Sequence, residues 1–430
     1  MTGNRNGSLA KFSSADRLSQ GPRELRLKKE DCAVNEPRAT VEIALLTGGG
    51  DKPYALGMAA ALTSEGILLD FIGSDDLQVP ELLNNARINF LNLRGDQCPN
   101  VSPFAKARRI LNYYIRLVCY AATARPKIFH ILWTNKFVFF DRTLLVAYYR
   151  LLGKRIVLTA HNVNAGRRDS KDSWLNRFSL KCEYTLSDHI FVHTEKMRNE
   201  LSAEFGISPG KVSVIPFGIN NTTLNTSLST GEAKRRLGLV NDDKAILFFG
   251  NIAPYKGLEY LATAFGELLQ TDPSYRLIIV GKPKGDENYW GRIHRAIVQS
   301  GIADRVIERI EYIPDEETEL YFKAADVLVL PYTHIFQSGV LFLGYSFGLP
   351  AIAADVGCLR EEIIEGETGL IFEARDSSAL ARAIEQYFAS ELFRQLERRR
   401  SQIKTYANDR YSWSRVATIT TGVYSGLLES

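Results

Sequence analysis

The run from residue 326 to 369 constrains the fold more than any other stretch. Val327-Leu328-Val329-Leu330 is an apolar strand that stops at Pro331. A polar loop follows, residues 340–347 read as a short buried helix, and Gly348-Leu349-Pro350 ends it. Ala351-Ile352-Ala353-Ala354 then opens another strand. Strand, loop, helix, strand is the repeating unit of a parallel sheet covered by helices. Phe336-Gln337-Ser338-Gly339-Val340 leads into the helix. The first N–H groups of a helix have no partner inside it and carry about half a positive charge, which suits a phosphate. A buried connection with no ligand fits the same residues.

The unit recurs along the chain. Val41-Glu42-Ile43-Ala44-Leu45-Leu46 is a strand, Thr47-Gly48-Gly49-Gly50-Asp51-Lys52-Pro53 a glycine loop, and residues 54–65 a helix of small residues. Bare backbone lets a ligand approach closely, but the spacing is not GxGxxG, and a plain tight turn explains the loop as well. Strands follow at 69–73, 88–93 and 128–133, with a helix at 141–152. The strand at 155–160 delivers His161-Asn162-Val163-Asn164 at its carboxyl end, the end that faces ligands in such sheets. His161 is therefore the histidine best placed for catalysis, with a satisfied structural histidine as the alternative. After strands at 187–194 and 211–215, residues 220–243 are rich in Asn, Thr, Ser, Gly and charge and mark a linker.

The second half restarts with a strand at 244–249, the loop Gly250-Asn251-Ile252-Ala253-Pro254-Tyr255-Lys256-Gly257 and a helix at 258–269. Strands at 275–280 and 306–313 come next, with Asp315 as N-cap of the following helix. Beyond the opening run lie a strand at 369–372 and helices at 377–388, 391–406 and 413–428. Two doubly wound α/β halves in series imply a cleft between them, with an anion site on its C-terminal side.

Composition narrows the function. With 53 basic against 49 acidic residues, the net charge of +4 gives no ground for nucleic-acid binding. Cys32, Cys98, Cys119, Cys182 and Cys358 are scattered and lack metal-ligand spacing, which fits a reducing cytosol and no metal site. No apolar run approaches the ~20 residues a membrane-spanning helix needs. Residues 1–39 read as a basic disordered leader with a helical stretch near 23–29. Residues 103–127 interleave Lys106, Arg108, Arg109, Arg116 and Arg125 with Ile110, Tyr113, Tyr114, Leu117 and Tyr120. Such a helix lies at a membrane interface or faces an anionic lipid-linked substrate, or else it packs its apolar face on the sheet with solvated arginines. Both readings stand.

The motifs together resemble the retaining family 4 glycosyltransferases of the GT-B fold. The resemblance rests on Phe249-Gly250 through Lys256-Gly257, Asp326 to Pro331, Gly348-Leu349-Pro350 and Glu365-Gly366-Glu367-Thr368-Gly369. Thr159-Ala160-His161, Ile215-Pro216-Phe217-Gly218 and the tail from Trp413 to Tyr424 extend it over roughly residues 40 to 425. It implies two Rossmann-like domains facing across a cleft, 40–218 plus 408–430 on the acceptor side and 244–407 on the nucleotide-sugar side, joined by a linker at 219–243. The C-terminal helix crosses back to the first domain.

It also implies roles. Lys256 matches the lysine that holds the donor diphosphate, and Ser338-Gly339-Val340 the loop whose N–H groups face the same phosphates. His161 matches the histidine near the transferred sugar, Glu361 the glutamate after the Gly357 loop, and Gly49 and Gly50 the glycine loop facing donor and acceptor. Gly250 and Asn251 belong to the donor side, and Asp51 and Asn135 to the acceptor side. Anchored on Gly348 to Pro350, the two glutamates usual in the family fall on Ile335 and Leu343, and its arginine on Asn251, so Gln337, Ser338 and Glu311 are expected to supply donor contacts instead. The implied reaction moves a sugar from a nucleoside-diphosphate sugar to a glycan or lipid-linked acceptor with retention, with no metal required. It takes place in polysaccharide or glycoconjugate biosynthesis, in the cytoplasm or peripherally at the inner face of the membrane. A non-catalytic subunit that activates a partner enzyme is the alternative, and a sugar-nucleotide epimerase lacks the carboxylate pair it would need.

Overall fold

The computed structural model describes residues 41–98, 102–168, 172–219, 226–335 and 337–429. The expected leader, part of the linker and Phe336 lie outside them. Seven strands form one sheet: β1 (Glu42–Leu46), β2 (Leu68–Gly73), β3 (Ile88–Asn92), β4 (Ile128–Ile131), β5 (Arg155–Thr159), β6 (His189–Val192) and β7 (Val212–Val214). Six form the other: β8 (Lys244–Phe249), β9 (Tyr275–Val280), β10 (Val306–Arg309), β11 (Val327–Leu330), β12 (Ala351–Ala354) and β13 (Gly369–Phe372). The orders are β3-β2-β1-β4-β5-β6-β7 and β10-β9-β8-β11-β12-β13. In each sheet the chain runs outward from its first strand, then returns to pair beside that strand, β4 on β1 and β11 on β8, always in parallel. Loops at the carboxyl ends diverge at such a switch point and leave a crevice.

The apolar strands are buried on both faces by crossover helices, as an all-parallel sheet requires. Helices Pro103–Thr123, Trp174–Leu186 and Glu195–Phe205, with the helical run 138–151, cover one face of the first sheet, where Leu117, Val146, Tyr184 and Leu201 join Phe129 in one cluster. Helix Lys52–Ser64 and the C-terminal helix Trp413–Glu429 cover the other, packing Met58, Val416 and Tyr424 against Phe71. The second sheet is held to the segment before it by a buried pair: the Lys234 ammonium lies 2.9 Å from the Asp326 carboxylate, which also accepts the Ala245 N–H. The same carboxylate thus ties together helix Thr230–Arg236, β8 and the lead into β11.

Three local expectations change. The strand expected at 306–313 ends at Arg309, because its partner β9 ends opposite at Val280 and Gly281 turns away. Asp315 is not a cap: Pro314 takes that position and Asp315 sits in the first turn of helix Asp315–Ala324, where its charge still favours the N-terminus. The helix expected at 141–152 starts at Val138 and carries a π turn over Asp141–Leu145. There the buried Asp141 carboxylate turns inward to accept the Tyr114 hydroxyl at 3.1 Å.

The C-terminal helix is locked at two points. His130 contacts Tyr424 through Nδ1 and Thr159 through Nε2, joining β4, β5 and the helix in the core. At its start the Trp413 indole lies over the Cα atoms of Gly57 and Gly218, where an added Cβ would come within 2.2 and 2.3 Å of the ring. Both glycines are needed for that close approach. Gly57→Ala therefore forces the indole out of its slot and lowers stability by about 1–3 kcal/mol, the usual cost of overpacking. Urea unfolding followed by Trp fluorescence measures it, and a midpoint equal to the parent's refutes the assignment.

Candidate functional site

A cleft of about 460 Å³ opens where the carboxyl ends of the two sheets face each other. Larger hollows of about 640 and 650 Å³ lie elsewhere, under Asp70, Asn89 and Tyr120 and beside residues 393–398, but they gather no strand-end loops. One wall of the cleft is built by Tyr255, Lys256, Gln337, Ser338, Gly339, Val340, Ile335 and Leu343, the other by Asp51, Tyr54, Phe217 and Trp413. Lys256 ends a short turn before helix Leu258–Thr271, entered through Gly257 at φ 64. Its ammonium is mostly buried and lies 3.7 Å from the centre of the Tyr332 ring. The ring face stabilises the cation and aims it. Ser338 is buried, contacts the Tyr332 hydroxyl at 3.3 Å and precedes helix Gly339–Ser346 without capping it, so that terminus keeps N–H groups for another acceptor. The side-chain amide of Gln337 is shielded at both its oxygen and its nitrogen and has no partner among the described residues. An amide left so costs about 1–3 kcal/mol, which a polar ligand group would recover.

Gly250, at φ 106, packs toward Val340 and lies behind this wall rather than in it. Asn251 is half-buried beside it and Glu311 is exposed, paired with Arg309 at 2.5 Å, while Tyr312 and Ile313 line the cleft instead. Glu361 is exposed in the short helix Leu359–Glu362, where it feels Lys196 and Glu195 from the first half. Ile335 and Leu343, the two apolar positions expected to replace glutamates, both face the cleft.

On the acceptor side the glycine loop makes its own approach. A Cβ on Gly49 would meet the Arg94 guanidinium at 1.9 Å, and one on Gly50 would meet the Trp133 ring at 1.9 Å. Asp51 caps helix Lys52–Ser64 by accepting the Tyr54 N–H at 2.9 Å. Asn135 accepts the Tyr113 hydroxyl at 2.6 Å in a separate small hollow with Arg94, Arg109 and Lys136.

His161 is stacked under Trp133, with ring centres 4.3 Å apart and 5° between planes, and Tyr54 meets it edge-on at 4.7 Å. The tautomers follow from the partners. His193 Nδ1 faces the Ile215 carbonyl at 3.2 Å, so it carries the proton and donates. Its bare Nε2 then accepts from His161 Nδ1 at 3.1 Å, which leaves His161 Nε2 a bare lone pair. That atom is shielded and has no partner among the described residues. Burial pushes His193 down to about 4, and burial with His193 and His130 nearby holds His161 well below the ordinary histidine range. Both rings are neutral at neutral pH.

Sequence reasoning passed over Trp133, Tyr332, Arg94 and Trp413. Arg94 and Tyr332 follow apolar strands at the carboxyl edge, a signal that could have found them. Trp413 enters from the far end of the chain, and nothing local to it points at the cleft. One consequence is measurable. His193 contributes stability in full above pH 6.5, and that share is lost as the pH falls from 6.5 toward about 4. Nitrogen-15 spectra should show both rings neutral and protonated at Nδ1 at pH 6, and His193→Gln should flatten the fall in stability over that window. Imidazolium signals at pH 6 would refute the relay.

A family model described as Glycosyltransferase Family 4 matches residues 48–222, and one described as Glycosyl transferases group 1 matches residues 243–390. D-inositol 3-phosphate glycosyltransferase of Acidothermus cellulolyticus is 32% identical over 204 residues, 46% of this chain and 45% of that protein. The match spans about half to two thirds of the length of the first such relatives. Sucrose-phosphate synthase from Thermosynechococcus elongatus superposes with a TM-score of 0.73 at 19% identity, over 90% of this chain and 99% of that one. Anabaena HepE, solved with UDP and glucose, gives 0.69 at 16% identity, over 90% of this chain and 100% of its own. The chain belongs to the family 4 glycosyltransferases and has their GT-B fold of two facing Rossmann-like domains.

Proposed function

We propose that this chain moves a sugar, with retention, from a nucleoside-diphosphate sugar to a glycan or lipid-linked glycan acceptor, in polysaccharide or glycoconjugate biosynthesis. The observation that carries the reading is the convergence of the buried Lys256 ammonium and the N-terminus of helix Gly339–Ser346 on one cleft. Two positive ends converging there suit the two charged groups of a diphosphate. In the reaction the bond from the sugar's anomeric carbon to the diphosphate oxygen breaks while a bond to the acceptor oxygen forms on the same face. The acceptor's proton passes to the leaving diphosphate. Lys256 and the N–H groups at Gly339 and Val340 stabilise the charge that grows on that oxygen, and they do so best in a site that excludes water. The bare Nε2 of His161, shielded behind Tyr54 in the free protein, accepts a hydroxyl hydrogen of the sugar once the ring over it moves aside, and the Gln337 amide takes another polar group of the donor.

The same reading has residues 103–127 recruit the chain to an anionic membrane surface, on the cytoplasmic side. No helix among the described residues is long and apolar enough to cross a membrane. A second reading, a non-catalytic subunit that binds and activates a partner enzyme, draws on the apolar wall at Ile335 and Leu343. Turnover by the purified chain separates the two.

A thermal-shift screen over nucleoside-diphosphate sugars comes first, since a ligand of the native state raises the melting temperature. With the stabilising donor, Lys256→Ala should lower kcat by well over tenfold, on the order of 2 kcal/mol or more in the transition state, in a variant whose circular dichroism shows it still folded. Unchanged turnover in that variant would remove the mechanism. Neither transfer nor donor hydrolysis by the parent would favour the subunit.

A further inference from the structure

The first half exposes an apolar surface that its own core does not use. Three neighbouring helical runs lie side by side on one face of the first sheet: Pro103–Thr123, 138–151 and Trp174–Leu186. They are joined by the Tyr148 hydroxyl on the Val118 carbonyl, by Arg142 against Glu183 and by the stacked Phe139 and Phe178. Their inward residues fill the core. Their outward residues are apolar as well: Leu111 and Ile115 on the first, Leu144 and Leu151 on the second, Trp174 and Phe178 on the third, all exposed. Most of the large apolar side chains exposed among the described residues belong to this one region. Exposed apolar side chains gathered on neighbouring helices in this way mark an interaction site rather than chance exposure.

Charge identifies the occupant. Residues 102–168 hold thirteen Lys and Arg and a single acid, Asp141, which is buried, although the whole chain is nearly balanced at 53 basic to 49 acidic. Arg142, Arg150 and Arg155 are taken up by Glu183 and Asp188, but Lys106, Arg108, Arg116 and Lys136 are exposed around the apolar side chains. A second copy docking here by two-fold symmetry would press this positive surface against itself. An anionic bilayer takes both components: lysine and arginine meet the headgroups, while Trp, Phe and Leu side chains enter between them.

We propose that this three-helix face seats in the interface of an anionic membrane. The inference deepens the recruitment by residues 103–127 and adds the apolar side chains of the second and third helices as inserted groups. Phe137 stacks on Tyr114 just beyond the carboxyl end of β4, where Trp133 stands beside the glycine loop. The docked face and the acceptor side of the cleft therefore meet at one strand end.

Flotation of the full chain with vesicles tests it without donor or acceptor. The parent should float with vesicles of phosphatidylcholine and phosphatidylglycerol and much less with phosphatidylcholine alone. Lys106→Glu with Arg108→Glu should weaken binding about tenfold at low salt, where surface charge is least screened. Leu144→Ser, Leu151→Ser and Trp174→Ser together should weaken it about tenfold at low and high salt alike, because inserted apolar groups are not screened. Melting temperatures equal to the parent's confirm that the exposed substitutions leave the fold intact. If the charge pair weakens binding and the apolar triple does not, residues 103–127 alone carry the attachment and this inference is wrong. Failure of the parent to float overturns both. Sedimentation velocity supplies a further outcome: a parent dimer that the apolar triple splits would make this face a contact between copies and refute membrane seating.

Discussion

The Trp413 indole against the bare Cα atoms of Gly57 and Gly218 is the contact on which the geometry of the cleft depends. The chain passes between the halves twice, after β7 and again before the C-terminal helix, and the two passages touch where Ile219 donates to the Tyr411 carbonyl at 3.0 Å. Around this point Phe217 from the first half stacks on Phe342 from the second, with centres 5.3 Å apart. On the far side Thr194 meets Cys358 and Lys196 reaches the Gly357 carbonyl at 2.9 Å. Close packing transmits position because side chains cannot be compressed into less space. The wedge holds the crossing in place on the first half, and the Phe217–Phe342 stack carries that position to the second.

Electrostatics divide the site the same way. The second sheet offers a buried ammonium braced by a ring face and a helix N-terminus; the first offers neutral imidazoles whose proton positions are fixed by the Ile215 carbonyl. Burial keeps His193 and His161 uncharged, so neither adds a cation to the first half's side of the cleft, and His161 keeps a lone pair instead of a proton at its shielded atom. A protonated His161 would turn an acceptor into a donor and reverse which hydroxyl groups it can hold. The same burial that makes these rings costly to charge thus fixes what they can recognise.

Much of the fold was legible because the strands are short, apolar and punctuated by glycine or proline, and strand-end loops follow from that pattern. The pattern put Gln337 and Ser338 in a loop just before a helix and Lys256 in a loop just past a strand, where the structure has them, while the role expected of Lys256 came from the resemblance. Glu311 shows where the pattern misleads: β10 ends two residues before it, and its carboxylate turns to Arg309. Asn135 was placed on the correct edge of the sheet, yet Tyr113 draws it into a neighbouring hollow. Trp413 and the His161–His193 pair could not be read, because their meaning lies in partners far along the chain. No local period encodes such a contact.

The helix at 103–127 shows why two readings of one stretch need not compete. An amphipathic argument assigns a helix one apolar face and asks what covers it. Here Tyr113, Tyr114, Leu117 and Ala121 are buried against the sheet, while Leu111 and Ile115 point outward among arginines. The core reading and the interface reading use different residues of the same helix, and the sequence is apolar enough to satisfy both. Among the described residues no element packs over the exposed set. Holding those side chains in water gains nothing for folding, whereas burying each in an interface removes apolar area at roughly 25 cal/mol per Å². A surface that folding leaves uncovered, on helices whose other faces are well packed, is best explained by what the folded protein meets next.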